Sequence, residues 1–142
     1  MARCAVVYWS GTGNTQSMAD CVAEGIISAG KDADVFAAAD FASSQAEKYE
    51  GFAFGCPSMG AETLEESEFA PMYESVKPLL KGKCVVLFGS YGWGDGEWMR
   101  TWEADCRESG CVMADAPVIA NGAPDASASE QCRALGAALA NS

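Results

Sequence analysis

Apolar stretches of strand length recur along the chain at residues 4–9, 35–39, 52–55, 84–89 and 112–120. The first and fourth are almost unbroken in apolar residues, the pattern of central parallel strands covered on both faces. Between them apolar residues return at helical spacing. Residues 15–29 place Met18, Cys21 or Val22, and Gly25 or Ile26 on one stripe. Residues 69–80 do so with Phe69, Met72, Tyr73, Val76 and Leu80. Residues 97–108 carry Trp98, Trp102 and Cys106, and residues 129–140 carry Cys132, Leu135 and Leu139. Gly30 and Gly110 stand where helix C-terminal glycines belong. Ser127 with Glu130 predicts a capping box for the last helix, with Asp125 as a rival cap. Residues 40–50 read as a loop or a short, poorly formed helix. Strands alternating strictly with helices, through crossovers long enough for right-handed β-α-β units, predict one doubly wound α/β domain over residues 1–142. Five strands are the natural count, and periodicity leaves their order open.

Ligands of such sheets bind at the carboxyl ends of the strands. The loop after the first strand reads Ser10-Gly11-Thr12-Gly13-Asn14-Thr15 and runs into a helix. Its glycines allow a sharp turn that exposes backbone N–H groups, and Ser10, Thr12, Asn14 and Thr15 add side-chain donors. The helix N-terminus then makes this a site for a terminal phosphate. Gln16 replaces the third glycine of a dinucleotide fingerprint, and no Gly-Lys-Ser/Thr follows. Rossmann and nucleotide-hydrolysing readings therefore lose ground to a phosphate monoester on a small cofactor. Two further glycine-rich loops follow the third and fourth strands, Gly55-Cys56-Pro57-Ser58-Met59-Gly60-Ala61-Glu62 and Gly89-Ser90-Tyr91-Gly92-Trp93-Gly94-Asp95-Gly96. Trp93 and Met59 are placed to stack on a planar ligand, each contact contributing roughly 0.5–1.5 kcal/mol.

Charge narrows the function further. Nine basic residues against 20 acidic ones give a net charge of −11, and histidine is absent. Such a surface opposes nucleic acid and anionic membranes, and favours a partner with a basic docking face. Without histidine, hydrolytic and zinc chemistry start low. Met1-Ala2-Arg3 leads straight into an apolar strand, with no signal-peptide architecture or bilayer-spanning run, so a cytoplasmic protein is expected. The seven cysteines include no C-x-x-C pair and read as reduced, small buried hydrophobes. Cys56, beside a candidate cofactor loop, keeps a minor redox-sensitive role open.

The motifs Ser-Gly-Thr-Gly-Asn-Thr, Met-Gly-x-Glu and Ser-Tyr-Gly-Trp-Gly-Asp-Gly, in this order and on these loops, closely resemble those of short-chain flavodoxins, above all from clostridia and related anaerobes. The likeness covers the whole chain, including Leu64-Glu65-Glu66-Ser67-Glu68-Phe69 and Asn121-Gly122-Ala123-Pro124-Asp125. No insertion of about twenty residues interrupts the last strand, which excludes the long-chain type. The resemblance implies a flavodoxin-like five-stranded parallel sheet of order 2-1-3-4-5, helices on both faces, and FMN as the cofactor. It implies that Ser10, Thr12, Asn14 and Thr15, with Gly13 in the same loop, hold the FMN phosphate. Met59 and Trp93 would sandwich the ring, beside Pro57, Ser58 and Gly60, with Glu62 accepting from flavin N3–H. Ser90, Tyr91, Gly92, Trp93 and Gly94 would line its polar edge. Ala61 stands where close relatives often carry Asp or Ser.

The function so implied is a low-potential, one-electron carrier cycling mainly between semiquinone and hydroquinone, monomeric and not itself an enzyme. Its partners would be basic-faced redox enzymes: a ferredoxin-type reductase, a pyruvate oxidoreductase or a nitrogenase-like acceptor. The alternative is a small NAD(P)H-dependent quinone or nitro reductase of the same fold, for which the chain is short and both ring faces are covered. A phospho-accepting signalling module would need an acidic cluster and a lysine at strand ends, company that Asp40 lacks. Glu62, Glu65, Glu66 and Glu68 crowd one loop without a cation. One such charge about 10 Å away at an effective dielectric near 20 costs roughly 1.7 kcal/mol, on the order of 70 mV, against adding the second electron. The same glutamates also suit a solvated helix start. In the family the Met59–Gly60 peptide flips on one-electron reduction, a motion glycine makes cheap. Gly60→Ala is therefore expected to weaken semiquinone stabilisation, and potentiometry with an unchanged first couple would refute this.

Overall fold

The computed structural model describes residues 3–59 and 63–142. Its strands are β1 (Arg3–Tyr8), β2 (Asp32–Ala37), β3 (Gly51–Gly55), β4 (Cys84–Tyr91), β5 (Val112–Met113) and β6 (Val118–Asn121). Its helices are α1 (Asn14–Ser28), α2 (Ser43–Ala46), α3 (Phe69–Val76), α4 (Glu97–Glu108) and α5 (Ala126–Ala140). All strand pairings are parallel, in the order β2-β1-β3-β4-β5, with β6 also paired to β4. The expected sheet order is therefore observed. Among the described residues no helix is long and apolar enough to cross a membrane.

The period-two rule of strands divides the core. On β1, Cys4 and Val6 face a cluster with Met18, Val22 and Ile26 of α1 and Cys132, Leu135 and Leu139 of α5. Ala5 and Val7 face the opposite cluster, with Phe69 and Tyr73 of α3 and Trp98, Trp102 and Cys106 of α4. The helical stripes read from the sequence are the stripes that cover the two faces. Every residue of β3 is buried, as a strand covered on both sides requires. The seven cysteines are all free, and Cys4, Cys56, Cys106, Cys111 and Cys132 are buried, as small hydrophobes.

Four local expectations need correction. The fifth strand is broken rather than continuous over residues 112–120. Val85 pairs with Met113 and Phe88 with Val118, so residues 114–117 stand opposite only Val86 and Leu87. Pro117 offers no N–H to the ladder, and Asp115 turns its carboxylate onto the Ala116 N–H at 2.8 Å. The second strand starts at Asp32, not residue 35, because edge pairing with β1 needs backbone rather than apolar side chains. The α-helix begun at Phe69 ends at Val76 and tightens into a 3₁₀ turn over Lys77–Leu79, where Pro78 cannot donate to residue 74. Asp125, not Ser127, caps the last helix, accepting from the Ala128 N–H at 2.8 Å. Residues 40–50 do hold a short helix, the one-turn α2, just after a 3₁₀ turn over Ala38–Asp40.

Helices α1 and α5 meet backbone to backbone at two glycines. A Cβ on Gly25 would overlap the Arg133 carbonyl oxygen, and one on Gly136 the Val22 carbonyl oxygen. Both neighbours are main chain and cannot yield as a side-chain tip would. Gly25→Ala and Gly136→Ala are each expected to cost about 1–3 kcal/mol by overpacking, despite alanine's better helix propensity. Urea unfolding of the two variants measures this, and an unchanged midpoint would show that the helices part freely.

Candidate functional site

β1, β3 and β4 are neighbours in the sheet, so the three loops that follow them emerge side by side. Hydrogen bonds continue the ladder past the strand ends. The Trp9 N–H donates to the Gly55 carbonyl at 3.0 Å, Cys56 N–H to Phe88 at 3.2 Å, and Ser58 N–H to Ser90 at 3.0 Å. A cleft of about 330 Å³ opens above them. The first loop lines it with Gly11, Thr12 and Asn14, the second with Pro57, Ser58 and Met59, the third with Ser90, Tyr91 and Gly92. Among the described residues no charged side chain lines it.

The first loop behaves as a cradle for an anion. Gly13 sits at φ 95°, a left-handed conformation that glycine adopts without Cβ strain, and its N–H donates to Ser10 Oγ at 3.0 Å. Helix α1 starts at the next residue with no side-chain cap and no acid in its first turn. In a chain of net charge −11, this end keeps free donors and its partial positive charge. Thr15 is buried and its Oγ1 lies 3.0 Å from Ser90 Oγ, tying the cradle to β4. Ser10, Gly13 and Thr15 thus shape the cradle from behind while Thr12 and Asn14 line the cleft.

The second loop is anchored by a buried carboxylate. Glu65 is 6% exposed. Its oxygens accept from the Glu68 and Phe69 N–H groups at 2.8 Å, from the Ser67 N–H at 2.9 Å and from the Ser67 hydroxyl. Burial alone would raise its pKa, but these donors outweigh it and hold the group at about 2. Of the glutamates that suit a solvated helix start, this one is instead the buried cap of α3. Its N–H donates to Cys56 Sγ at 3.3 Å. Burial pushes that thiol up to about 12, so Cys56 is an inert structural acceptor and not a redox-sensitive group. Met59 and Thr63 exchange two 2.9 Å hydrogen bonds. Gly60, Ala61 and Glu62 lie outside the described residues.

The Ser58 hydroxyl lines the cleft, is shielded from solvent and lacks a partner among the described residues. An orphaned donor beside an uncapped helix N-terminus fits a ligand carrying polar acceptors. In the third loop Trp93 is 60% exposed, so it is not folded back on the core and its ring is available for stacking. Neither Trp93 nor Gly94 lines the cleft itself. Tyr91 does, and its ring lies 5.5 Å from that of buried Trp98, whose indole donates to the Cys56 carbonyl at 3.2 Å. A Cβ on Gly92 would meet only open space. Trp9 and Gly122 also line the cleft, and the sequence reading missed both. Trp9 follows β1 directly, where an aromatic at a strand end was the available signal. Its indole donates to Glu68 at 2.9 Å.

Replacing Glu65 leaves three N–H groups without their acceptor, and Glu65→Ala is expected to cost about 1–3 kcal/mol. The sign with pH follows from a depressed carboxyl. The wild-type advantage is complete above the ordinary value of 4.5 and fades as pH falls toward about 2. Denaturation of both proteins at neutral and acid pH checks it, and an advantage that did not fade in acid would contradict the cap.

Comparison with known proteins identifies this geometry. The flavodoxin family profile matches residues 6–136. A flavodoxin of Clostridium beijerinckii is 45% identical over 136 residues, 96% of this chain and 98% of its own length. One of Megasphaera elsdenii is 39% identical over 135 residues, 95% of this chain and 96% of its own. The solution structure of the two-electron-reduced Megasphaera elsdenii flavodoxin superposes with a TM-score of 0.90, covering 98% of this chain and 99% of that one. Profile, relatives and fold agree, and this chain belongs to the flavodoxin family, whose members are FMN-binding electron carriers.

Proposed function

We propose that this protein carries single electrons at low potential on an FMN held in the cleft of the three strand-end loops. The observation that carries this reading is the cleft at the three loops: among the described residues its walls carry no charge, the helix N-terminus is uncapped and the Ser58 hydroxyl lacks a partner. FMN supplies reversible one-electron chemistry on its ring. The residues supply the rest. Backbone N–H groups at the start of α1, with Thr12 and Asn14 and supported by Ser10, Gly13 and Thr15, bind the phosphate without a lysine or arginine. Pro57, Ser58 and Met59 would flank one side of the ring, and the family resemblance adds Gly60 and Glu62, the latter as acceptor for its N3–H. Ser90, Tyr91 and Gly92 would flank the other, and the family resemblance adds the exposed Trp93 and Gly94.

The working couple is the second, low-potential step. Glu65 is ionised at every physiological pH and fixed beside the second loop, where it disfavours further negative charge. Glu66 and Glu68, both exposed, act in the same direction but are screened by salt. A net charge of −11 suits docking to basic-faced redox enzymes, such as a ferredoxin-type reductase, a pyruvate oxidoreductase or a nitrogenase-like acceptor. The protein works as a cytoplasmic monomer.

Anaerobic photoreduction of the FMN-loaded protein, followed through the visible spectrum, tests the reading. The expected course is a yellow protein that gains a stable blue, long-wavelength band before bleaching. Bleaching in one two-electron step would point instead to a hydride-accepting reductase. Trp93→Ala removes an exposed ring without touching the core. It should weaken FMN binding by about 0.5–1.5 kcal/mol and raise the second potential. Fluorescence titration and potentiometry read both effects.

A further inference from the structure

The second loop leaves the sheet at Cys56, which is fully buried and is held at its nitrogen, its sulfur and its oxygen. Its N–H donates to the Phe88 carbonyl at 3.2 Å. Its Sγ accepts from the Glu65 N–H at 3.3 Å, and the thiol itself donates to the Pro57 carbonyl at 3.5 Å. Its carbonyl accepts from the Trp98 indole N–H at 3.2 Å. Trp98 is the second residue of α4, so the helix that follows the third loop grips the root of the second. Strand β4 is shaped to let that bond form. A Cβ on Gly89 would overlap the Cys56 carbonyl oxygen and come within 3.2 Å of the Trp98 ring. Glycine alone lets the carbonyl pass over β4 to the indole. Trp98 is 2% exposed and its ring lies 5.5 Å from that of Tyr91, so the donor is fixed in its turn.

Little freedom is left beyond Cys56. A residue before proline is confined to extended backbone, and proline has its own φ fixed. The Ser58 N–H is then tied to the Ser90 carbonyl at 3.0 Å. The direction of the Cys56 carbonyl therefore decides where Pro57, Ser58 and Met59 stand on the wall of the cleft. We infer that Trp98, which does not line the cleft, is a positioning residue for the cofactor: its indole N–H, acting through the Cys56 carbonyl, sets the pose of the second loop against the ring. The inference rests on the FMN reading above and adds a residue that acts without touching the ligand. Trp102 supplies the contrast. It is 3% exposed on the same helix and in the same core, yet its Nε1 has no partner among the described residues. Both rings pack, and of the two only Trp98 donates to the second loop.

Three variants of the full chain test this. Trp98→Phe keeps an aromatic ring in the core and removes the donor. Trp102→Phe makes the same change where no bond is lost. Gly89→Ala pushes on the same carbonyl from β4 with the indole intact, and carries the test if Trp98→Phe does not fold. Amide exchange of the FMN-loaded proteins, read by NMR, is expected to show the Ser58 N–H losing protection about tenfold in Trp98→Phe and Gly89→Ala, as for one buried carbonyl left unpaired. The Trp9 N–H of the first loop is the internal reference and should keep its protection. FMN affinity, by fluorescence titration, should fall about tenfold in the same two variants, and the midpoint potential of the first one-electron step should move. Trp102→Phe is expected to leave all three at their wild-type values. Equal losses at Ser58 and Trp9, or a Trp98→Phe protein that matches Trp102→Phe in affinity and potential, would make Trp98 a core residue only and overturn the inference. A wild-type protein that takes up no FMN would refute the cofactor reading, while Ser58 exchange in the variants would still report whether Trp98 sets the loop.

Discussion

The cleft exists because β1, β3 and β4 are held in one parallel register and the ladder does not stop where the strands do. Trp9, Cys56 and Ser58 donate to carbonyls on the neighbouring strand beyond the last regular pair. Three loops distant in sequence are thereby fixed relative to one another by main-chain bonds, whose geometry does not depend on side-chain rotamers. The rest follows from that registration. Thr15 can reach Ser90 only because the first and third loops share one platform. Trp98 can hold the Cys56 carbonyl only because α4 packs beneath the second loop. A redox site benefits from such rigidity, since small changes around a cofactor change how well each charge state is solvated.

Charge is distributed with equal economy of means. The chain is strongly acidic, yet among the described residues no charged side chain lines the cleft. Its donors sit at a helix end kept free of acids and of a side-chain cap, where dipoles alone supply the positive potential. The second loop shows the opposite arrangement, with the Glu65 charge taken out of water and stabilised by hydrogen-bond donors instead of a cation. This makes it a permanent charge and a structural cap together. Removing its partners would expose a buried carboxylate, which is why the loop and the start of α3 behave as one unit.

Much of this was legible along the chain. The stripes of α1, α3, α4 and α5 are the buried residues of those helices, because a surface helix must hide its apolar side whatever the partner is. The glycine-rich loops at the first, third and fourth strand ends line the cleft, because close approach and left-handed backbone demand glycine locally. What failed had a common cause. The start of β2, the break between β5 and β6 and the choice of Asp125 as cap are decided by which backbone groups find partners, which leaves little imprint on hydrophobic pattern. Trp9 was missed because an aromatic at the end of an apolar strand reads as core.

By itself, then, the sequence determined the class of fold, the succession of the first four strands and the four main helices, and the family, since these rest on local periodicity, glycine placement and ordered motifs. The tertiary structure alone decided which groups meet. It made Glu65 a buried cap instead of a solvated acid, made Cys56 inert, and left Trp93 exposed beside the cleft. Burial and hydrogen-bond partners are properties of residues far apart in the chain, and only folding brings them together.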